Sequence, residues 1–137
     1  MDSEDHFDFD IFLSYNHLDR VRVHTLADKL RIDGIHIWLD EWNIFNKDHI
    51  AKEINRGLDK SKTLGVCVSL NSHTSIWRRL ETHVFIRKHK DDERRSIFVI
   101  RLDNSNIHKL FKQFKSFDLS SPSNTEEYKK LLKEFNK

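Results

Sequence analysis

The sequence predicts an α/β fold, a doubly wound parallel sheet of five strands within a single domain, residues 1–137. Four short runs are almost continuously apolar and rich in Ile, Val and Phe, which is typical of strands covered by helices on both faces. Apolar residues at helical spacing separate these runs, and strands that alternate with helices imply right-handed βαβ crossovers. A chain of 137 residues is long enough for one domain with its own core. We expect residues 1–7 to form a frayed N-terminus.

The strands and helices are expected to alternate along the chain. The four apolar runs are residues 9–14, 36–39, 63–70 and 97–102, and a weaker fifth strand is residues 116–119. Three of the predicted helices begin after a capping residue, at Asp19, Asp48 or Ser75, and the last follows a capping-box pattern at residues 123–126. Their apolar stripes, in chain order, consist of Val23, Leu26, Ala27 and Leu30; of Ile50, Ile54 and Leu58; of Ile76, Leu80 and Val84; and of Tyr128, Leu131, Leu132 and Phe135.

The composition excludes several classes of protein. The formal net charge is only +2, which argues against binding along a nucleic acid backbone. The single cysteine, Cys67, excludes an internal disulfide bond and suits a reducing compartment, so we expect a cytoplasmic protein. No apolar stretch is long enough to cross a membrane. His83 and His89 are six residues apart, off the spacing of a helical metal-binding pair, and we expect no metal site.

Polar and aromatic residues cluster where the predicted topology places a ligand crevice. In a flavodoxin-like strand order, the crevice lies at the carboxyl ends of the first and third strands. Those ends are residues 14–16 and 69–71, and the next predicted helix carries Trp77 and Glu81. At helical spacing these two side chains share a face, where an indole and a carboxylate could hold a flat, positively charged ring. On this pattern alone, a packing residue and a solvated charge are the commoner interpretation.

Six segments resemble the conserved boxes of Toll/interleukin-1 receptor (TIR) domains, in the same order and spacing. They are FDIFLSY (9–15), IWLDEW (37–42), DHI (48–50), INRGLDKS (54–61), VSLNS (68–72) and SIW (75–77), the last followed by Glu81. The resemblance covers nearly the whole chain and is closest to the bacterial branch of the family. It implies the TIR fold and, as in many bacterial, plant and axonal members, cleavage of NAD+ with release of nicotinamide.

The resemblance also implies roles for individual residues. Glu81, in a Trp-x-x-x-Glu motif with Trp77, takes the place of the catalytic glutamate. The substrate-binding positions fall on Ser14, Tyr15, Asn16, Asp40, Trp42, Ser75 and Trp77. The loop after the second strand, residues 42–47, departs from the family, because Asn46-Lys47 stands where a Pro-Gly or a Val-Gly is usual. No cofactor is implied, since NAD+ is the substrate.

A single carboxylate is enough for this chemistry in principle. Ordinary glycosidases need two carboxyl groups, one of them to protonate the leaving oxygen. Nicotinamide leaves NAD+ as a neutral base and needs no acid. One carboxylate can then stabilise the positive charge that develops on the ribose and orient its hydroxyls. Trp77 could stack on the ribose or on the pyridinium ring.

Several functions compete with an NAD+-cleaving enzyme of bacterial immune (anti-phage) or cell-death signalling. A non-catalytic module that acts by homotypic TIR–TIR interaction has the same fold, but adaptor-type members commonly lack the glutamate. A flavodoxin-like nucleotide binder or response regulator is disfavoured, because no acidic cluster, switch lysine or flavin loop is evident. Direct binding of DNA is supported only by scattered basic residues.

Self-association is expected to activate the enzyme. The resemblance suggests that a sensor domain or partner protein brings TIR domains together and that neighbouring copies complete the site. The loop after the second strand carries Trp42, Ile44 and Phe45 beside Lys47, and we expect an exposed assembly surface there. The equal alternative is that Ile44 and Phe45 fold back onto the domain.

Overall fold

Five parallel strands form one sheet in the order β2-β1-β3-β4-β5, which confirms the predicted fold class and the flavodoxin-like strand order. The computed structural model describes residues 6–44, 49–72, 86–87, 91–107, 109–121 and 123–136. The strands are β1 (Phe9–Ser14), β2 (Ile37–Trp38), β3 (Ser61–Val68), β4 (Ser96–Arg101) and β5 (Lys115–Asp118). The α-helices with defined bounds in the described residues are α1 (Arg20–Ile32), α2 (Asp40–Asn43), α3 (Ile50–Asp59) and α4 (Thr125–Phe135), and short 3₁₀ helices cover His17–Asp19, Leu70–Ser72 and Lys109–Gln113.

The predicted strand bounds are right for β1 and shifted by one or two residues elsewhere. The second strand is only two residues long, because β2 lies at the sheet edge, pairs with β1 alone and gives way after Leu39 to α2. The third begins earlier, at Ser61, and ends at Val68 rather than Leu70, since residues 70–72 form a 3₁₀ turn. The fourth and fifth strands each begin one residue before the predicted start.

Side chains alternate between the two faces of the sheet and form two separate hydrophobic layers. On one face, Ile11 and Leu13 of β1 pack in the same cluster as Leu30 of α1 and Leu131 of α4. The predicted apolar stripe of α1 is confirmed, since all four of its residues are buried. On the other face, Leu58 of α3 packs in a cluster with residues of the three central strands. Both faces are therefore covered, as the continuously apolar strands require.

Three details of the helices differ from the prediction. Helix α2 was not anticipated, because four residues are too few for an apolar stripe. In α3, Leu58 is buried and Ile54 partly so, but Ile50 is 46% exposed in the first turn and does not belong to the core. The N-cap of α4 is Asn124 rather than Ser123, since the Asn124 Oδ1 accepts a hydrogen bond from the Glu127 N–H at 3.4 Å.

Several sequence predictions fall outside the described residues. They concern the whole third predicted helix and part of the frayed N-terminus, residues 1–5. Asp48 itself also lies outside them, but the N-cap of α3 is His49 rather than the predicted Asp48. Cys67 is buried in the core, as expected for a small apolar side chain. Within the described part of the chain, no helix is both long and apolar enough to span a membrane.

Candidate functional site

The carboxyl ends of β1 and β3 meet, as the strand order predicts. Ser14 pairs with Val66 in the parallel ladder, and it is buried. Beyond the strand ends, the side chain of Asn16 spans the gap: its Nδ2 donates to the backbone oxygen of Asn71 at 3.0 Å, and its Oδ1 accepts from the Leu18 N–H at 2.9 Å. The structure therefore brings residues 14–16 and 69–71 together at the switch point, where open α/β sheets bind ligands.

A buried carboxylate, that of Asp19, lies beside these strand ends and makes contacts that its place in the sequence does not predict. Asp19 occupies the N-cap position of α1, as expected, but its side chain makes no capping hydrogen bond. It is 5% exposed and instead accepts hydrogen bonds from Ser69 Oγ at 2.5 Å and from Asn71 Nδ2 at 2.8 Å. No sequence pattern distinguishes a capping Asp from one that faces a neighbouring strand, because the two differ only in side-chain direction.

Tyr15 connects the end of β1 to the start of α2. Its hydroxyl donates to Asp40 Oδ1 at 2.6 Å, and the same oxygen accepts from the Glu41 N–H at 2.8 Å. Tyr15 is only 4% exposed, whereas Asp40 is half-buried. The structure thus joins two of the predicted substrate-binding residues in one charge-assisted hydrogen bond, which fixes the orientation of both side chains.

Trp42 lies in α2, so the predicted loop of residues 42–47 begins later than expected. His24 of α1 stands between two aromatic rings, with centroids 6.3 Å from Tyr15 and 6.0 Å from Trp42, both edge-on. The Arg31 guanidinium lies 5.0 Å from the Trp42 ring centroid on its face. Glu41 lies within 3.4 Å of His24 Nε2. Ring contacts of His24 and the Arg31 guanidinium therefore hold α2 against α1.

Two apolar residues of the loop predicted as an assembly surface pack partly onto the domain. Trp42 is half-buried against the core layer that contains α1, and Ile44 is half-buried against the opposite layer. Burial of these large side chains removes apolar area from water, which favours packing on the domain over exposure to solvent. For Ile44 the alternative of folding back is confirmed. Phe45 and Lys47 lie outside the described residues.

The remaining predicted site residues, Ser75, Trp77 and Glu81, also lie outside the described residues. In sequence they follow the 3₁₀ turn at Leu70–Ser72, which the structure does place at the switch point. The Leu70 N–H of that turn donates to Asp103 Oδ2 at 2.8 Å. Burial raises the pKa of the Asp103 carboxyl, but hydrogen bonds from Ser105 and from the Leu70 N–H outweigh it, so the pKa lies below its ordinary value.

The described residues give no indication of a bound metal. No group of three or more His, Cys, Asp or Glu side chains within residues 6–44, 49–72, 86–87, 91–107, 109–121 and 123–136 is arranged to hold a metal ion. The polar groups at the switch point are instead carboxylates, amides and hydroxyls that bond to one another and to the backbone. Such an array can orient a ligand by hydrogen bonds and can favour a positive charge.

One sequence relative carries a named activity. It is the NAD(+) hydrolase TcpA of Theionarchaea archaeon (strain DG-70-1), which is 30% identical over 83 residues. The match covers 60% of this chain and 25% of that protein. The chain therefore spans about a quarter of the length of that curated relative.

Two solved structures share the fold at low sequence identity. The TIR domain of the Toll-related receptor TRR-2 from Hydra magnipapillata has a TM-score of 0.71 and 14% identity, over 94% of this chain and 99% of that one. A metazoan TIR-STING receptor from C. gigas has a TM-score of 0.66 and 13% identity, over 85% of this chain and 38% of that one. In sequence, residues 11–132 match the TIR domain family. The chain belongs to the TIR domain family.

Proposed function

We propose that this TIR domain is an NAD+ hydrolase that cleaves the bond between nicotinamide and ribose. The observation that carries the proposal is the 83-residue match to a relative named as an NAD(+) hydrolase. The Trp77 and Glu81 pair in the sequence supports it, as does the cluster of polar side chains at the switch point, where open α/β sheets bind ligands.

The reaction needs one carboxylate, and Glu81 supplies it. The bond between the pyridinium nitrogen and C1′ of the ribose breaks, and its electron pair stays with nicotinamide, which leaves neutral. Water adds to C1′ and loses a proton, so NAD+ and water give ADP-ribose, nicotinamide and H+. The Glu81 carboxylate stabilises the cationic ribose in the transition state, where the charge is greatest. An attack by the adenine on C1′ instead of water would give a cyclic product.

The described residues contribute orientation and charge. Tyr15 is fixed by Asp40, which leaves its ring in one position at the end of β1. Asn16 is bonded through both ends of its amide group, so its contribution is to hold the two strand ends together. The half-buried Asp40 carboxylate adds a negative charge near the crevice, and such a charge favours a cationic substrate ring.

Substitution of Glu81 tests the assignment. Glu81→Gln keeps the shape of the side chain and removes its charge, so NAD+ cleavage should fall by at least about 100-fold, as when one electrostatic stabiliser is lost. Glu126→Gln is the matched control, since this glutamate is 77% exposed on α4, and it should keep wild-type turnover. Turnover by Glu81→Gln close to that of Glu126→Gln would contradict the assignment. Circular dichroism of both variants excludes unfolding as the cause.

Self-association belongs to the same proposal. We expect copies of the domain to complete the site between them, so specific activity should rise with protein concentration. In bacterial immune or cell-death signalling, a sensor domain in a larger protein would bring the TIR domains together and so switch on the activity. Phe45→Ala combined with Lys47→Glu should lower activity, whereas Lys129→Glu, on the exposed face of α4, should not. A specific activity that stays flat over a wide concentration range would favour a self-sufficient monomer.

A further inference from the structure

We infer that Asp19 is a positioning residue for the proposed site: its buried carboxylate fixes the turn that follows β3, and it acts through Ser69 and Asn71. The inference rests on the proposed function, because it takes NAD+ cleavage as the activity that the turn supports. In sequence, that turn is the last described segment before Trp77 and Glu81. Under this inference, the orientation of the turn positions the catalytic pair that follows it in sequence.

Both oxygens of the buried Asp19 carboxylate are satisfied by neutral side-chain donors. Each of its oxygens accepts one hydrogen bond, Oδ2 from the Ser69 hydroxyl and Oδ1 from the Asn71 amide. Both donors belong to side chains more than 45 residues away in sequence, and both are neutral. Asp19 is 5% exposed and Ser69 is 2% exposed, so the charge is largely removed from water. Burial of a carboxylate is costly unless its acceptors are satisfied, and here neutral donors satisfy them.

A helix cap would not need this arrangement. A capping Asp at a helix N-terminus accepts from the backbone N–H groups of the first turn and is usually accessible to water. Asp19 makes no such bond to α1. Its position before Arg20 instead lets α1 begin while the side chain reaches across to the carboxyl end of β3. The same residue therefore joins the start of α1 to the end of β3.

The turn is held at several points. The Asn71 side chain donates to Asp19, and the Asn71 backbone oxygen accepts from Asn16. The Asn71 N–H donates to Ser69 Oγ at 3.0 Å, so the Ser69 hydroxyl both accepts within the turn and donates to Asp19. The Leu70 N–H is bonded to Asp103. Of these contacts, only those to Asp19 join the turn to a buried charge. Exchanging aspartate and asparagine at positions 19 and 71 tests their role.

Exchange of aspartate and asparagine reverses the donors and acceptors with little change in volume. Asp19→Asn replaces one acceptor oxygen by an NH₂ group, and Asn71→Asp places a second carboxylate against the first. The double variant Asp19→Asn/Asn71→Asp exchanges the two groups, so an amide again donates to a carboxylate, and the amide oxygen introduced at position 19 can accept from Ser69. Asp33→Asn is the matched control, because Asp33 accepts the Tyr128 hydroxyl at 2.6 Å at the opposite end of α1.

The experiment measures kcat and KM for NAD+ together with amide hydrogen exchange of residues 68–72 in the full chain, at a temperature where every variant is folded. Each single variant should lower kcat by about 10-fold or more, since small misplacements of catalytic groups are costly, while KM changes less than about 3-fold. Amide hydrogen exchange of residues 68–72 should be faster in both single variants than in the wild type. The double variant should recover most of both losses, and Asp33→Asn should keep wild-type kcat.

Different failures have different meanings. Faster exchange in the turn with unchanged kcat would show that Asp19 is only structural and would overturn the inference. Unchanged exchange would show that the hydrogen bonds do not hold the turn, and it would overturn the inference as well. A wild-type chain that leaves NAD+ intact at high concentration would overturn the proposed function, and this inference with it.

Discussion

Loss of the Tyr15 hydroxyl should destabilise the domain by a predictable amount. Tyr15→Phe removes the donor of the 2.6 Å hydrogen bond to Asp40 and leaves the ring in place. Hydrogen bonds to charged groups contribute roughly 1.5–3 kcal/mol. Asp40 is half-buried and keeps its bond from the Glu41 N–H, so water and that N–H compensate in part. We therefore expect a loss of about 1–2 kcal/mol in the free energy of unfolding.

The chain offers a matched control for this variant. Tyr128 is 6% exposed and also donates to a carboxylate at 2.6 Å, that of Asp33, at the far end of α1. Tyr128→Phe should cost no more than Tyr15→Phe, because Asp33 is exposed to water. If Tyr15 serves the site as proposed, only Tyr15→Phe should also impair NAD+ cleavage. The two variants thus separate a loss of stability from a loss of function.

Urea unfolding followed by circular dichroism provides the measurement. A lower midpoint with an unchanged m-value indicates a change in stability alone. Asp40→Asn and the double variant with Tyr15→Phe complete a thermodynamic cycle, in which a favourable coupling energy isolates the pair. A loss below about 0.5 kcal/mol for Tyr15→Phe, the range of ordinary surface substitutions, would refute the view that this bond connects β1 to α2.

Three further predictions concern the frame of the domain. Gly57→Ala should lower the Tm, because an added Cβ would lie 2.5 Å from Trp38 Nε1. The overpacking costs about 1–3 kcal/mol, which outweighs the gain of about 1 kcal/mol in helix propensity. Trp38→Phe should reduce the loss of Tm. Arg95→Lys should lower the free energy of unfolding in urea by about 2–3 kcal/mol. The Arg95 guanidinium donates hydrogen bonds to three backbone oxygens near the end of α3. Arg94 is more exposed, so Arg94→Lys should cost less. Hydrogen bonds from Arg94 hold the pKa of Asp92 down to about 2. The ionised Asp92 therefore stabilises the fold above about pH 4, and this contribution is lost as the pH falls towards 2. Asp92→Asn should flatten the dependence of the unfolding free energy on pH in this acid range.

The fold was predictable because its signals are local and strong. Strand β1 matches the predicted bounds, since its last four residues are buried and pair with strands on both sides. Strand β2 was predicted too long, because the number of residues that pair at a sheet edge depends on its single neighbour, which the apolar pattern does not encode. The N-cap at Asn124 instead of Ser123 reflects a choice among three adjacent polar residues that all favour capping.

The site was predictable in position but not in its internal contacts. The strand order places residues 14–16 against residues 69–71, as topology requires. The direction of the Asp19 side chain and the position of His24 between two aromatic rings depend on tertiary packing, and neither leaves a sequence signal. Polar neighbours in the sequence do not reveal which side chains the core accepts. The sequence therefore left open whether Ile44 is exposed or folded back, and it did not predict that Trp42 packs against the core.

The central claim is that this TIR domain breaks the bond between nicotinamide and ribose. The most direct measurement is a proton NMR time course of NAD+ with concentrated wild-type protein. The proposal predicts that free nicotinamide appears in a one-to-one ratio with the NAD+ consumed, and that the rate per molecule rises with protein concentration. NAD+ that stays intact at every protein concentration would contradict it and would leave a non-catalytic TIR interaction module as the better account.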